Sequence, residues 1–321
     1  MNCNYCEFRC DISRSPGVCG RYVIRDGQVV EKEPFFWLPT NTSDMESMPF
    51  FHAMPGEYVL HVGTVGCNAG CDYCINAHVA IDCVPEEALQ RITPEDMLKH
   101  AQNWNSKAIV FAINEIAVFL PSALAVARTA RANGLKIGCL TNGFLTQESA
   151  AQLVEHMDYI CVSLKSMRDE FYKKRLRLPS VKPVLRNIRA FCKEAHVEIV
   201  TPIDDDVSYE ELREIADFIY GLNPETPWHL FQMFKARKTD DDHSRSFEDT
   251  FAFMRETRNR LPYVYFASFP GSRWVDTLCP KCGRRVVRRV SIGACGSKYL
   301  SDDLTSDGQC PDCGQTIPII R

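Results

Sequence analysis

With 321 residues the chain is long enough for about two domains of roughly 150 residues each, and its 45% hydrophobic and 24% charged residues are globular values that exclude disorder. A formal net charge of −4 gives no basic field of the kind nucleic-acid binders use, so a nucleic-acid partner is not expected. No apolar run of about eighteen residues and no charged-then-apolar leader is visible, which argues against a membrane and for a reducing, cytoplasmic location, where sixteen cysteines read as metal ligands before disulfides.

Residues 1–57 read as an N-terminal Cys-rich segment, with turn residues around Cys3, Cys6, Cys10 and Cys19. The spacing Cys3-x2-Cys6-x3-Cys10-x8-Cys19 suits a four-thiolate metal site. Zinc would staple a segment too small to fold alone; a second, auxiliary iron–sulfur cluster would relay electrons or anchor a substrate. Spacing leaves both open, with zinc the first choice.

From 58 to 269, β-rich runs alternate with helical patterns, the signature of βα units and a parallel sheet. The runs predict strands at 58–64, 108–113, 136–141, 159–164, 197–203, 228–234 and 263–268. Thr93 followed by Pro94, Glu95 and Asp96 places a cap, a first-turn proline and two acids where a helix starts. Ser208 with Glu211 reads as a capping box, and Gly134 as the residue that stops a helix begun near Pro121. The fold class is therefore α/β, a partial (β/α)6-type barrel. The acidic stretch Asp240, Asp241, Asp242 reads as a solvated loop.

Residues 270–321 have little helical periodicity and repeat one knuckle, Cys279-Pro-Lys-Cys282-Gly and Cys310-Pro-Asp-Cys313-Gly. Tight turns followed by glycine point paired thiolates at one ion, so the segment reads as a zinc-ribbon-like module, its hairpin tip near Cys295. Arg284, Arg285, Arg288 and Arg289 read as a solvated hairpin face. Cys83, Cys139, Cys161, Cys192 and Cys295 stand outside the clusters and read as ordinary thiols.

Immediately after the first predicted strand comes Cys67-Asn68-Ala69-Gly70-Cys71-Asp72-Tyr73-Cys74. Three thiolates at C-x3-C-x2-C hold three irons of a 4Fe–4S cube and leave the fourth iron open to a small molecule, whereas zinc would need a fourth ligand, for which Cys83 and His78 are the candidates. Polar residues collect at the C-terminal ends of the following strands, where barrel enzymes place their sites: Asn114 and Glu115, Thr141 and Asn142, Ser163 and Lys165, Thr201, His229 and Gln232. A polar ligand explains the group together. Taken singly, His229 reads as a satisfied core histidine and Thr201 as a turn cap.

The cysteine motif, with Tyr73 in the aromatic position before its last cysteine, resembles that of the radical SAM superfamily. The order Asn114-Glu115, Thr141-Asn142-Gly143, Ser163-Leu164-Lys165, Trp228-His229-Leu230 is similar to relatives of pyruvate formate-lyase activating enzyme. Within that group the chain looks most like the radical SAM member of the AmmeMemoRadiSam system, in the N-terminal four cysteines and the C-terminal CPxCG pair. The resemblance implies that S-adenosylmethionine chelates the open iron and is reductively cleaved to a hydrogen-abstracting 5′-deoxyadenosyl radical. It also implies an electron donor such as flavodoxin or ferredoxin and a protein or peptide substrate, in one form a glycyl-radical partner. By motif, Asn114 and Glu115 would meet the amino group of S-adenosylmethionine, Asn142 and Lys165 its ribose or carboxylate, and His229 its adenosyl side, with Thr201 lining the cavity. The chain departs from those relatives at Ile116, where they carry proline, at Ser163, where they carry aspartate, and over Ile75-Asn76-Ala77-His78. These changes leave cofactor binding in place and open the substrate. The rivals are radical modification of a small molecule or nucleic acid and a non-catalytic iron–sulfur and zinc adaptor.

Overall fold

The computed structural model describes residues 1–81, 84–203, 206–232, 246–293 and 296–321. Cys83, Cys295, Asp240, Asp241, Asp242 and the last two residues of the strand expected at 228–234 lie outside the described residues. Two compact units make up the chain, each discontinuous in sequence. Met1–Ser43, Tyr58–Ser163 and Arg168–His196 form the first, and Asp44–Glu57, Leu164–Met167 and Val197–Arg321 the second.

In the first unit, strands β1 (Tyr58–Val62), β2 (Ala108–Phe111), β3 (Lys136–Thr141) and β4 (Tyr159–Ser163) pair side by side, all parallel. Val59 stands opposite Ala108, Ala108 opposite Lys136, and Gly138 opposite Tyr159. Every residue of β2 is buried, as expected of a parallel strand covered on both faces. Helices α1 (Pro94–Asn103), α2 (Leu120–Ala132), α3 (Gln147–His156) and α4 (Lys182–Glu194) belong to the same unit. Thr93 caps α1 by accepting a hydrogen bond from the Asp96 amide at 3.2 Å, and Gly134 follows α2 with φ of +81°, both as the sequence predicts. Thr146 caps α3 in the same way, accepting from the Ser149 amide at 3.2 Å. Trp37, Phe111 and Phe119 pack ring against ring in the core of this unit, each worth roughly 1.5–3 kcal/mol of burial. A short antiparallel hairpin, Tyr22–Arg25 with Gln28–Glu31, is tied down when the Tyr22 hydroxyl donates to the Ala117 carbonyl at 2.7 Å.

The second unit carries the parallel strands β5 (His196–Ile203), β6 (Trp228–Gln232) and β7 (Val264–Phe266), with helices α5 (Tyr209–Leu222) and α6 (Phe247–Arg258) between them in sequence. Ser208 caps α5 by accepting from the Glu211 amide at 3.1 Å. The reciprocal half of the expected capping box is absent: the Glu211 carboxylate turns instead to the Ser166 hydroxyl and to the Met167 amide at 2.7 Å. Beyond β7 the strands β8 (Thr277–Leu278), β9 (Arg285–Gly293) and β10 (Gly296–Asp302) form an antiparallel sheet, and β9 and β10 are the hairpin expected around residue 295. Its basic run is not a uniformly solvated face. Arg284 pairs with Asp303 and Asp312, Arg285 with Asp276, and Arg288 with Asp303. Arg289 is buried against an equally buried Glu46 at 3.2 Å. A guanidinium leaves water only with its charge and donors matched, and Glu46, the Phe51 carbonyl, the Val275 carbonyl and Thr277 do that here.

The chain is thus α/β with a mostly parallel sheet, the architecture of a partial barrel. Among the described residues no helix is long and apolar enough to cross a membrane.

Candidate active site and its cysteine centres

The loop that leaves β1 carries Cys67, Cys71 and Cys74, and three different segments of the first unit hold it. Asn114, just past β2, accepts from the Thr64 amide at 3.1 Å and donates to the Gly66 carbonyl at 2.7 Å. From the other side, the Gly70 and Asp72 amides donate to the carbonyls of Leu176 and Arg175, at 2.9 and 3.1 Å. Those carbonyls lie in a π-helical turn, Tyr172–Leu176, a rare geometry that concentrates at functional sites. Arg175 also pairs with Asp72 at 2.7 Å and lies over the Tyr73 ring, 5.2 Å from its centroid. Nothing in the sequence spacing marks Arg175 for this; the unusual turn that presents it is a product of the tertiary fold. His78, the other candidate fourth ligand, is exposed on the single turn Ala77–Ala80.

Asn114 is presented by strained backbone. Ile113 before it has φ of +76°, and the Asn114 amide donates back to the Ala112 carbonyl at 2.9 Å, closing a tight three-residue turn. For a β-branched residue that conformation costs on the order of 1–3 kcal/mol. The same corner explains Gly63, where a Cβ would stand 2.7 Å from the Ala112 carbonyl oxygen.

Glu115 organises the next loop. Its carboxylate, 3% exposed, accepts from the Thr141 hydroxyl at 2.8 Å, the Ala117 amide at 3.2 Å and the Asn142 amide at 2.6 Å. Asn142 donates its side-chain amide to Asn68 Oδ1 at 2.7 Å, inside the cysteine motif. Asn114, Glu115 and Asn142, singled out from sequence, are therefore gathered with the motif in one hydrogen-bonded lattice. Asn68 was not singled out, since one residue between two ligands carries no spacing signal of its own. Burial, first of all, and the nearby Glu115 carboxylate push the Cys67 thiol well above its ordinary range, with Cys71 and Cys74 adding to it. A ligand that takes thiolates must displace those protons, and an iron centre does so. Three thiols on one loop, not gathered at the spacing of a single ion, fit an iron–sulfur group as their resident.

Lys165, Thr201 and His229 belong to the second unit. Thr201 donates to the Leu164 carbonyl at 2.7 Å and accepts from the Trp228 indole at 2.9 Å. His229 meets the fully buried Glu198 at 2.6 Å and stacks on Tyr265. Glu198 also accepts the amides of Phe51 and His52, at 2.9 and 2.8 Å, so its charge is matched by three donors. Lys165 is half-buried in the segment that follows β4.

The chain carries two further cysteine groups. Cys279, Cys282, Cys310 and Cys313 bring their sulfurs within 4.8 Å of one another, the one such group of ligand atoms among the described residues. Cys279 lies 3.5 Å from Cys313, and Cys282 3.6 Å from Cys310. Burial raises the Cys279 thiol, but the amides of Cys282 and Lys281 outweigh it and bring it down to about 7. Cys3, Cys6, Cys10 and Cys19 line one small cavity in the first unit. Burial, with a smaller push from neighbouring thiols of the group, brings Cys3 up to about 11 and Cys6 up to about 12. Cys139 and Cys161 are buried within β3 and β4 as ordinary core thiols.

Residues 62–219 match the family model of the Radical SAM superfamily, which spans the motif and the lattice around it. An uncharacterized protein of Methanocaldococcus jannaschii is 28% identical over 284 residues, covering 86% of this chain and 82% of that one. Among solved structures, SuiB of Streptococcus suis is similar at a TM-score of 0.51 and 12% identity, over 70% of this chain and 50% of SuiB. SuiB bound to its precursor peptide SuiA is similar at 0.50 and 11%, over 68% and 49%. The chain thus spans about half the length of SuiB, and at these identities the likeness is one of fold.

Proposed function

We propose that the chain acts as a radical SAM enzyme, in keeping with the family model matched by residues 62–219, and that it abstracts hydrogen from a protein or peptide, a glycyl radical on a partner being the specific form. The motif loop carries this reading: its three cysteines sit on a segment fixed by Asn114, Asn142 and the Tyr172–Leu176 turn. A 4Fe–4S group held there supplies the electron that cleaves S-adenosylmethionine. The protein's part is positional. Asn114 and Glu115 fix the two loops that frame the cofactor, with Asn114 facing its amino group. On the resemblance, Asn142 and Lys165 would serve its ribose or carboxylate and His229 its adenosyl side, with Thr201 lining the cavity. The buried Glu198 holds the His229 ring in one orientation.

The peptide class is supported by the likeness to activating enzymes and by a fold relative whose structure holds a precursor peptide. Radical SAM enzymes need an electron donor, and flavodoxin or ferredoxin fills that role in this reading. The C-terminal four-cysteine group takes zinc, its sulfurs standing at the separation a single tetrahedral ion imposes. A cytoplasmic location follows from thiol centres that need reducing conditions.

The substrate class is tested with extract from cells grown in heavy water, split into polypeptide, nucleic-acid and small-molecule fractions. Anaerobic enzyme, reductant and unlabelled S-adenosylmethionine are added to each. Deuterium carried into 5′-deoxyadenosine from the polypeptide fraction alone is the expected result. Transfer from the small-molecule or nucleic-acid fraction alone overturns the peptide reading.

A further inference from the structure

Hydrogen abstraction at the motif does not account for the four N-terminal cysteines. Cys3, Cys6, Cys10 and Cys19 face one cavity, which excludes four unrelated thiols. Yet no three of their sulfurs gather within 4.8 Å, as the C-terminal four do. The difference is chemical. Four thiolates on one zinc ion, at Zn–S distances of about 2.3 Å, must stand about 3.8 Å apart, and the C-terminal sulfur pairs at 3.5 and 3.6 Å match that demand. Around a four-iron cube each thiolate binds a different iron at its own corner, so the sulfurs surround one cavity at wider separations. The motif cysteines Cys67, Cys71 and Cys74 likewise do not gather within 4.8 Å.

A second observation is independent of sulfur spacing. Asn68 is 2% exposed, and the acceptor its Nδ2 approaches among the described residues is the Cys6 sulfur, short of full hydrogen-bond geometry. A buried amide donor left without an acceptor costs about 1–3 kcal/mol. Asn68 lines the N-terminal cavity together with Cys6. A protonated thiol is a poor acceptor; the thiolate and sulfide sulfurs of a cluster are good ones, and such hydrogen bonds tune cluster potentials. The other end of the same side chain reaches the motif, where Oδ1 takes the bond from Asn142 and lies 3.9 Å from Cys67 Sγ. Cys19 and Cys67 also line a common pocket of about 490 Å³.

We propose that Cys3, Cys6, Cys10 and Cys19 hold a second iron–sulfur cluster of the four-iron type, joined to the radical SAM motif through Asn68. With all four irons ligated by thiolate it has no open position for substrate. Its work is electron transfer: one electron enters from a reduced flavin or iron–sulfur donor protein and one leaves for the group held by Cys67, Cys71 and Cys74, with no net change at the N-terminal site.

The test uses the full chain, reconstituted anaerobically with iron and sulfide in the presence of zinc, with iron and zinc counted and Mössbauer spectra recorded. The wild type is expected to bind about eight irons and about one zinc per chain. The triple variant Cys67→Ala, Cys71→Ala, Cys74→Ala retains about half the iron with a 4Fe–4S quadrupole doublet, and Cys10→Ser with Cys19→Ser in an otherwise native chain also loses about half. About four irons and two zincs in the wild type, or an iron-free triple variant that keeps the wild-type circular dichroism spectrum, overturns the proposal. A chain that binds eight irons yet leaves S-adenosylmethionine intact upholds this cluster and counts against the proposed reaction, so the two failures are distinct.

Discussion

The two four-cysteine groups both contain a C-x2-C pair, yet the structure sets them differently. In the C-terminal sheet, tight knuckles ending in glycine converge their thiols to 3.5 and 3.6 Å. At the N-terminus the thiols come from an irregular segment wrapped against the radical SAM motif, where Cys6 bridges to Leu145 and the Asn4 carbonyl is held by Thr146 and Ser149. The backbone that carries the ligands, and not their number or spacing in sequence, decides whether they close on one ion or stand around a larger group. On the proposed reading one group would staple its own sheet, whereas the other adjoins the three-cysteine motif.

The largest effect that sharpens this comparison is expected from Cys279→Ser. Structural zinc contributes on the order of 10 kcal/mol to small sites, so the variant should lose its zinc and the hydrogen-exchange protection of β8 to β10, while its iron content stays at the wild-type level. Loss of both metals together would erase the distinction between the groups. Glu115→Ala acts in the first unit alone. It leaves the Asn142 and Ala117 amides and the Thr141 hydroxyl without their acceptor, at about 3 kcal/mol of stability, and S-adenosylmethionine affinity measured by calorimetry should fall with it. An unchanged affinity would take Glu115 out of the site.

Acid should also separate the units. His61 on β1 is held uncharged by burial, its pKa down to about 4, with Ser43 Oγ against Nε2 at 2.7 Å. Below the ordinary value of 6.5 the unfolded chain takes up a proton that the folded chain refuses. The stability tied to His61 is therefore complete above pH 6.5 and is lost as the pH falls toward 4, by roughly 2–3 kcal/mol. His61→Gln should flatten that slope in urea melts followed from pH 7 to pH 4.5. The smallest effects come from two matched caps. Thr146→Val removes the cap of α3 together with the bond to Asn4, at about 2 kcal/mol, and Thr93→Ala removes only the cap of α1, at about 1 kcal/mol. Only the first should speed loss of N-terminal iron to a chelator.

Much of this was legible in the residues. The β-branched runs from Tyr58 to Phe266 mark each parallel strand to within a few residues of its ends, and Thr93 and Ser208 mark helix starts that the structure keeps. The motif and the order of Asn114, Glu115 and Asn142 marked a set that the fold gathers. What escaped the sequence depends on distant partners. Glu211 abandons its cap for Ser166, and Arg289 is buried because Glu46, far away in the chain, meets it. The strain at Ile113 and the double engagement of Asn68 arise only once the loops after β1, β2 and β3 are packed, and no local pattern encodes them.

The most direct measurement is the release of 5′-deoxyadenosine from S-adenosylmethionine by anaerobically reconstituted, dithionite-reduced protein. The wild type is expected to release it and Cys71→Ala to release none while keeping the proposed N-terminal iron. Wild-type protein with a full complement of iron that releases none, or Cys71→Ala that releases as much as the wild type, would contradict the proposed function.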